Sequence, residues 1–575
     1  MKNLLKYIKG YRREAVLGPL FKLIEASLEL TVPLVVAAII DKGIGAEDKG
    51  YIVWGSLFLV ALGAIGLLFS VSAQYFSAKA SVGFASKIRA DLFIHTETLS
   101  YADIDRIGTS NLITRITSDT DKVQSGLNLA LRLLLRSPFV AFGAMIMAFI
   151  VDGRAGLIFV AVIPPLCIVI FGIMLISIPL YKKVQGSVDK VLLKTREALS
   201  GARVVRAFSK ETEKVSEFNR ESEGLRREQT KVGRFSALLN PLTYILINLA
   251  LVWLIQVGAV RIDSGTLTKG ELVALYNYMS QILIELIKLA NMIISIMKAL
   301  ASASRISAIF DIEPSQKYGL VDKIPENAPY AVKFENAALK YHGSSLPAIS
   351  GLNLTVGVGE RIGVIGGTGS GKSSLINMIA RYYDSTEGSV FAFGKPAEEY
   401  TKEALRTCVG IVPQRSVLFS GTVRENMQIS MPDAEDGEIW SALEAAQIAE
   451  CVRERGGLDA EVTEGGKNFS GGQRQRLAVA RALVRRPKIL ILDDSASALD
   501  FATEAAMRSA INRHCPDSTI FTVSQRTSSI MHCDKIIVLE DGEVEAIGSH
   551  SELLSSSATY AEIHEVQFGG ANDEK

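Results

Sequence analysis

An excess of charge of one sign is what this sequence lacks most plainly. Its 575 residues contain 62 Lys and Arg against 61 Asp and Glu, which gives a formal net charge of +1 at pH 7. Proteins that attract nucleic acid by bulk electrostatics carry a basic excess or a basic stripe. We therefore expect no nucleic-acid partner.

Cysteine is also scarce. The five cysteines are Cys167, Cys408, Cys451, Cys515 and Cys533. None forms a C-x-x-C pair, and none lies beside a histidine at the spacing of zinc ligands. The pattern argues against a disulfide framework or a zinc site. It is typical of reduced thiols in a protein that faces the cytosol.

Long apolar runs are missing from the second half of the chain and crowded into the first 300 residues. About 20 apolar residues in an α-helix cross the hydrocarbon core of a bilayer. The candidate spans are 15–40, 52–78, 127–151, 155–180, 237–262 and 270–298. A chain of this length is expected to form two domains. The sequence therefore predicts an α-helical membrane domain of six transmembrane helices, followed by a soluble domain.

The connections between the spans predict the orientation. Three connections are short and carry few basic residues, whereas 79–126 and 181–236 are long and helical in pattern, and 181–236 is rich in Lys and Arg. Basic residues concentrate on the cytoplasmic side of a membrane. We expect the long connections and both termini in the cytoplasm of a multi-pass protein of the cell membrane, the cytoplasmic membrane of a bacterium. The turns near 101–108 and 202–211 are expected to meet a cytosolic domain.

Several ionisable side chains fall inside the candidate spans. They are Glu25, Glu29, Arg132, Arg136, Glu285 and Lys288. A charge in hydrocarbon is costly, so such residues usually face a cavity or one another. One interpretation is that Glu29, Arg136 and Glu285 line a substrate cavity. The other is that most of these side chains lie at the inner interface and extend their charged ends to water.

The two ends of the membrane domain have their own signals. The basic, amphipathic N-terminus lacks the cleavage site of a signal peptide and predicts an interfacial elbow helix, with no peptidase domain ahead of it. The segment 312–329 contains three prolines, as a domain boundary would. We expect a membrane domain over 1–311, a linker over 312–329 and an α/β domain over 330–575.

The strongest motif of the chain is a glycine-rich loop between a predicted strand and a predicted helix. It reads Gly366, Gly367, Thr368, Gly369, Ser370, Gly371, Lys372, Ser373 and is followed by Ser374. This G-x-x-x-x-G-K-[ST] pattern predicts a P-loop NTPase domain. Its backbone N–H groups surround phosphate. Lys372 is expected on the β- and γ-phosphates of ATP, and the Ser373 hydroxyl on Mg²⁺.

A second buried strand, 488–492, ends in Asp493 and Asp494. A buried strand that ends on a carboxylate needs a partner for that charge. Beside a phosphate loop, the expected partner is Mg²⁺.

Between these two motifs lies a third, which carries a resemblance. Phe469, Ser470, Gly471, Gly472 and Gln473, followed by a basic helix, resemble the signature of the ABC transporter superfamily. With six spans before the ATPase domain, the whole chain resembles an exporter-type half-transporter of the multidrug and lipid-flippase kind. The resemblance implies that two such chains pack head to tail, so that each ATP lies between one chain's Walker motifs and the other chain's signature.

The resemblance also assigns roles to other residues. It implies that Tyr341 stacks on adenine and that Gln414 is the Q-loop residue that reaches Mg²⁺. Thr463–Gly466 resembles the loop that touches the partner's coupling helix. Ser497–Asp500 resembles the D-loop, which places Asp500 among the candidate catalytic residues.

Two departures from the family pattern concern the γ-phosphate. Asp494 stands where a glutamate normally polarises the attacking water, and Gln525 stands where a histidine is normal. Aspartate is one methylene shorter, and a misplacement of about 1 Å can cost on the order of 100-fold in rate. A neutral amide cannot shuttle a proton. Binding elements remain, so we expect ATP to be bound but hydrolysed poorly at this chain's own site, as in the degenerate-site subunit of bacterial heterodimeric ABC exporters.

Three functions remain open on the sequence. The first is a subunit of a heterodimeric exporter of amphipathic small molecules, drugs or peptides. The second is a homodimeric lipid flippase that hydrolyses ATP slowly through Asp494. The third is a regulatory ATP-binding subunit, against which the intact signature argues. The expected partners are a second half-transporter, membrane lipid and an amphipathic substrate.

Overall fold

The computed structural model describes residue 4 and residues 6–568, and it divides into two compact units. Met1–Glu97 and Ser110–Ile312 form the first unit, and Thr98–Thr109 and Glu313–Lys575 form the second. Residues 1–3 and 5, at the start of the expected elbow helix, lie outside the described residues. Its continuation, Lys6–Tyr11, is a 3₁₀-helix.

The first unit is helical throughout. Its helices are α1 (Arg12–Ala38), α2 (Lys49–Thr98), α4 (Thr109–Thr114), α5 (Thr120–Leu133), α6 (Arg136–Val151), α7 (Gly153–Ser200), α8 (Ala202–Ala207), α9 (Glu211–Ala237), α10 (Leu239–Asp263) and α11 (Lys269–Phe310). The short helix α3 (Tyr101–Ile107) belongs to the second unit. The expected long connections are helical, because their apolar residues recur at helical spacing among charges that water can solvate.

Among the described residues of the first unit, five segments are long and apolar enough to cross a membrane. They are Lys6–Ile44, Lys49–Thr98, Thr109–Val151, Gly153–Ser200 and Glu211–Asp263. The sixth expected span lies in α11, which is as long but is not among them. Its middle, around Tyr278 and Ile282, is fully buried against the other helices, and it carries Glu285. A helix packed inside a bundle needs less apolar surface than one that faces lipid.

As far as residue 568, where the described chain stops, the second unit contains three sheets. The strands are β1 (Val332–Leu339), β2 (Ile349–Val356), β3 (Arg361–Gly366), β4 (Glu387–Ala392), β5 (Lys395–Pro396), β6 (Val409–Val412), β7 (Gly421–Thr422), β8 (Glu461–Val462), β9 (Ile489–Asp493), β10 (Thr519–Val523), β11 (Lys535–Glu540) and β12 (Glu543–Gly548). A four-stranded antiparallel sheet has the order β2-β1-β4-β5, and a six-stranded sheet has the order β12-β11-β3-β10-β9-β6.

Helices pack around these sheets. They are α12 (Lys372–Ile379), α13 (Lys402–Cys408), α14 (Val423–Gln428), α15 (Asp436–Ala445), α16 (Ala449–Glu454), α17 (Gly471–Leu483), α18 (Phe501–His514), α19 (Thr527–Ile530), α20 (His550–Ser556) and α21 (Ala558–Phe568). Strands β11, β3, β10, β9 and β6 run parallel, and nearly all their residues are buried. A parallel sheet covered on both faces reads as continuous apolar runs.

The register of the parallel strands gathers their carboxyl ends. Val523 of β10 pairs with Val364 of β3 on one side and with Asp493 of β9 on the other. Ligands of open α/β sheets bind at the carboxyl ends of the strands. The glycine-rich loop, the acidic pair and the segment after β10 therefore emerge at one edge of the sheet.

The segment Thr98–Thr109 packs on the second unit through a buried carboxylate and an aromatic pair. Asp103 is 3% exposed and accepts hydrogen bonds from the N–H and the hydroxyl of Ser100 and of Ser315. The Tyr101 ring lies 4.3 Å from the Tyr382 ring, centroid to centroid, and the Tyr383 hydroxyl donates to Asp105. Burial raises the pKa of Asp103, but the hydrogen bonds from Ser315 and Ser100 outweigh it and hold the pKa below its usual value.

We expect Asp103→Asn to destabilise the second unit by about 1–3 kcal/mol, because hydrogen bonds to a charged acceptor are among the stronger ones. The pKa of Asp103 is lowered in the folded state, so its stabilisation is present above the unfolded pKa. It is lost as the pH falls through the folded pKa. Thermal unfolding of both proteins between pH 7 and pH 3 tests this. Glu398→Gln, the same carboxylate-to-amide change at an exposed position of the second unit, is the matched control and should change stability by less than about 0.5 kcal/mol.

Candidate functional site

The candidate phosphate loop joins β3 to α12 and owes its shape to glycine. Gly366 has φ +155°, and a Cβ atom there would lie 2.1 Å from the carbonyl oxygen of Leu539 on the neighbouring strand. Gly371 has φ +98° and would meet the Ala348 carbonyl oxygen at 2.7 Å. Only glycine meets both conditions. Residues 367–369, between them, are exposed and open to a ligand.

The Lys372 ammonium group lies against this loop. Its Nζ donates to the carbonyl oxygens of Gly366 at 2.8 Å and Gly367 at 2.6 Å. Burial lowers the pKa of Lys372, and the charges of Asp493 and Asp494 oppose that shift. Phosphate oxygens are stronger acceptors for an ammonium group than neutral carbonyls. The lysine is therefore placed to exchange the loop carbonyls for a phosphate.

Two carboxylates and one carboxamide face the loop from β9 and β6. Burial and the neighbouring Asp494 raise the pKa of Asp493, although the Gln414 N–H and Lys372 act in the opposite direction. The Gln414 side-chain Nε2 lies 3.4 Å from Asp494 Oδ2. Oxygen donors of this kind, together with the Ser373 hydroxyl, suit Mg²⁺, which takes one or two carboxylates and completes its shell with phosphate and water. The residues present therefore fit the metal.

Asp494 sits at a sharp turn out of the sheet. Its φ is +48°, a left-handed conformation that few residues other than glycine adopt. Its N–H donates to Val523 and its carbonyl oxygen accepts from the Ser497 hydroxyl at 2.9 Å and from Gln475 Nε2 at 2.9 Å. The main chain is thus fixed on both sides, and the short carboxylate projects from a rigid turn.

Gln525 is exposed immediately after β10, and its main chain is held by the C-terminal helix α21. Gln567 Nε2 donates to the Gln525 carbonyl oxygen at 2.7 Å, and Gln567 Oε1 accepts from the N–H of Thr527 at 2.9 Å and from its hydroxyl at 3.0 Å. His564, one turn earlier, lies 3.2 Å from the same hydroxyl. The Gln567 side chain therefore bridges the turn that carries Gln525, the residue in place of the usual histidine.

Tyr341 lies beside α12. Its hydroxyl donates to Ser374 Oγ at 3.1 Å, and its ring meets the Tyr383 ring edge to face at 5.0 Å. Asn377 donates to the same hydroxyl. The ring is thus held at the start of the helix that follows the phosphate loop.

The signature residues lie elsewhere in the second unit. Ser470 caps α17, accepting from the Gln473 N–H, while Gln473 Oε1 accepts from the Ser470 N–H. Within the described residues, no hydrogen bond or ion pair joins this turn to the phosphate loop. Gly472 packs against the carbonyl of Ala498. Phe469, which replaces the usual leucine, is 3% exposed, and its side chain packs in the helical core.

Asp500 also has a structural explanation. Its carboxylate caps α18 by accepting from the Thr503 N–H and hydroxyl, both at 2.9 Å, and these hydrogen bonds lower its pKa. The side chain is exposed, so the cap does not prevent a further contact across a dimer.

In the first unit, three charged residues predicted to line a cavity form one cluster. Arg136 of α6 donates to Glu285 of α11 at 2.6 Å and also to Glu29 of α1. Arg136 and Glu285 are 6% and 3% exposed, whereas the Glu29 side chain is 40% exposed. Lys288 adds a second partner for Glu285 at 2.9 Å. Each of these buried charges has lost its contact with water, and the ion pairs with opposite charges take the place of that contact.

Sequence reasoning missed the residues that hold the site in place. Gln475, Gln567 and Tyr383 each contact a predicted site residue, yet none belongs to a predicted role. A glutamine on a helix is ordinarily exposed, so the only available signal was the position of Gln475 on the apolar side of α17. Nothing in the sequence connects Gln567 with Gln525.

Two family models match the chain. One describes the transmembrane region of ABC transporters and matches residues 16–286. The other describes the ABC transporter ATP-binding domain and matches residues 349–497. The first match covers most of the helical unit, and the second covers the part of the P-loop unit from β2 to the residues just after β9.

Similar proteins extend over nearly the whole chain. An uncharacterised ABC transporter ATP-binding protein of Mycobacterium bovis is 35% identical over 567 residues, 97% of each chain. One from Bacillus subtilis is 31% identical over the full length of both. The ATP-dependent lipid A-core flippase of Salmonella typhimurium is 28% identical and covers 99% of this chain and 98% of its own. A bacterial Atm1-family ABC exporter with ATP bound has the same fold, with a TM-score of 0.80, 24% identity, and coverage of 97% of this chain and 98% of its own.

The loop geometry predicts that Gly366 does not tolerate a side chain. Gly366→Ala should weaken nucleotide binding by at least about 10-fold, because a methyl group would displace the Leu539 carbonyl and shift the loop. Gly437→Ala, on α15 and outside the loop, where no atom lies within 4 Å of an added Cβ, is the control and should change binding by less than about threefold. Titration of a fluorescent ATP analogue measures both. Equal losses would contradict the assignment of Gly366 as the constrained position.

Proposed function

Because this chain belongs to the ABC transporters, with an exporter-type transmembrane region followed by an ATP-binding domain, we propose that it is one subunit of a heterodimeric exporter. Its own Walker motifs form the ATP site that hydrolyses poorly. The single observation that supports this most is the pair of Asp494 and Gln525 at the sheet edge where the γ-phosphate would lie. Asp494 lacks the reach of a glutamate, and Gln525 lacks the proton-shuttling ring of a histidine. The phosphate-binding loop beside them has its complete motif.

Several properties are common to the family. The chain binds nucleotide and couples ATP hydrolysis to transport, crosses a membrane several times, and works as a dimer. We propose that both termini and the second unit face the cytoplasm of a bacterium, since the basic connection 181–236 favours that side.

Each site residue then has a role in binding. Tyr341 stacks on adenine, residues 366–374 surround the phosphates, and Lys372 moves onto the β- and γ-phosphates. Ser373, Gln414 and Asp493 would hold Mg²⁺, which when bound neutralises charge on the phosphate oxygens. Asp494 is one methylene shorter than glutamate, so from the same main-chain position its carboxylate does not extend as far toward the attacking water.

The signature Phe469–Gln473 serves the partner's nucleotide. Its helix N-terminus is a potential anion site, and among the described residues no hydrogen bond or ion pair joins it to this chain's own phosphate loop. In the proposed pair, the productive site combines this signature with a partner that has both the glutamate and the histidine. Asp500, on the exposed D-loop, contacts the partner across the same interface.

The proposed cargo is an amphipathic small molecule, drug or peptide. The cluster of Glu29, Arg136 and Glu285 supports this choice, since charges among transmembrane helices mark sites for polar groups. A homodimeric lipid flippase is the second candidate, favoured by the similarity to the lipid A-core flippase of Salmonella typhimurium. In that case Asp494 would have to support hydrolysis by itself.

The asymmetric model predicts unequal effects at the two sites. In the assembled pair, replacing the partner's catalytic glutamate with glutamine should reduce ATP hydrolysis by about 100-fold or more, as loss of a water-orienting group does. Asp494→Asn should reduce it by less than about threefold. Single-turnover ATPase assays of the two variants make the comparison. Equal losses, or fast hydrolysis by this chain purified alone as a homodimer, would favour the flippase candidate.

The charged cluster predicts a separation between cargo binding and folding. Glu29→Gln should shift the cargo concentration for half-maximal ATPase stimulation by about threefold or more, because Glu29 is the exposed member. Glu285→Gln should chiefly lower thermal stability, because it leaves buried Arg136 with one partner less. Stimulation curves with cationic and neutral amphipaths, together with melting curves, distinguish the two. An unchanged stimulation curve for Glu29→Gln would favour the interpretation that these charges are structural.

A further inference from the structure

Gln475 is a buried polar residue on the signature helix that no motif explains. It lies two residues after Gln473 on α17, and residues two apart on a helix point to nearly opposite sides. Gln473 faces outward at the cap, and Gln475 is 5% exposed and faces the sheet. Its side chain therefore points from the signature helix toward this chain's own Walker segment.

The contact it makes there is specific. Gln475 Nε2 donates to the Asp494 carbonyl oxygen at 2.9 Å and lies 3.5 Å from the Ser497 hydroxyl. Ser497, the first residue of the D-loop, donates to the same carbonyl. One atom, the Asp494 oxygen, thus joins the signature helix, the D-loop and the left-handed turn after β9.

The contact is maintained at a cost. Gln475 Oε1 is buried and has no hydrogen-bond partner among the described residues. A buried acceptor without a hydrogen-bond partner destabilises the folded state. A methionine would fill the same volume without that cost. Packing alone therefore does not explain a glutamine at this position, whereas the bond to Asp494 does.

We propose that Gln475 is a positioning residue that couples the two ATP sites of the dimer. A nucleotide at this chain's Walker site acts on the turn at Asp494. Gln475 transmits any shift of that turn to the start of α17, where the signature completes the partner's site. Such coupling is reciprocal for binding, so nucleotide at the second site also affects nucleotide affinity at the first. This inference rests on the proposed function in one respect, the assignment of hydrolysis to the partner's site.

A double-mutant cycle in the full-length transporter with its partner tests this. Lys372→Ala empties this chain's site, and its effect on turnover at the other site is measured with and without Gln475→Met. In the otherwise unaltered pair, Lys372→Ala should lower kcat by about fivefold or more, the lower end of the usual range of coupling between sites. In the Gln475→Met background the further loss should fall below about twofold, with the KM for ATP at the partner's site within about twofold of its starting value.

Two variants separate coupling from damage to the fold. Ser497→Ala loosens the same carbonyl at an exposed position and should reduce the coupling in the same direction, even if Gln475→Met folds poorly. Arg476→Met removes a side chain that bonds Gln447 on another side of the helix, and should leave the effect of Lys372→Ala intact. Independent, multiplicative effects of Gln475→Met and Lys372→Ala would overturn the proposal, as would a Lys372→Ala pair with unchanged turnover.

The outcome also distinguishes this inference from the proposed heterodimer. If the chain proves active as a homodimer, the heterodimer is wrong, but the coupling is still measurable as cooperativity in ATP concentration. A Hill coefficient above 1 that falls to 1 in Gln475→Met supports the inference in that setting. A Hill coefficient that does not change overturns it.

Discussion

The pairing of β3, β10 and β9 is the constraint on which the site depends. Because these strands are parallel and in register, the residues that follow each strand emerge at one edge, although more than a hundred residues separate β3 from β9 in the chain. The apolar side chains that form the register are the ones that exclude water from both faces of the sheet. The geometry of the nucleotide site therefore follows from the packing of the core. A change in one strand would also displace the site residues that follow the other two strands.

Sequence reasoning located the elements whose chemistry is encoded locally. The phosphate loop follows from a few consecutive residues, since glycine spacing fixes a backbone and Lys372 fixes a charge. The acidic pair follows from an apolar run that ends on carboxylates. The membrane domain follows from hydropathy, because lipid permits no unpaired backbone. Each of these features depends on neighbours in the sequence.

Features that depend on distant residues were out of reach. The Gln567 amide holds Gln525 across 42 residues, and Arg136 meets Glu285 across 149. Neither pair has a periodic or compositional signal. The two interpretations of the membrane charges each fit part of the cluster. Arg136 and Glu285 are buried against each other, whereas Glu29 retains exposed surface. The charges therefore need not all share one role.

The grouping of Thr98–Thr109 with Glu313–Lys575 affects how the second unit can be isolated. The chain passes between the two units three times, at 97–98, 109–110 and 312–313. A fragment cut at the linker alone would lose Asp103, the acceptor for Ser315, and would uncover the ring of Tyr382. Such a truncated ATPase domain is an incomplete folding unit with an exposed aromatic surface that favours aggregation. A soluble version for biophysical work would need the twelve-residue segment supplied as a peptide, or grafted to its N-terminus through a flexible linker.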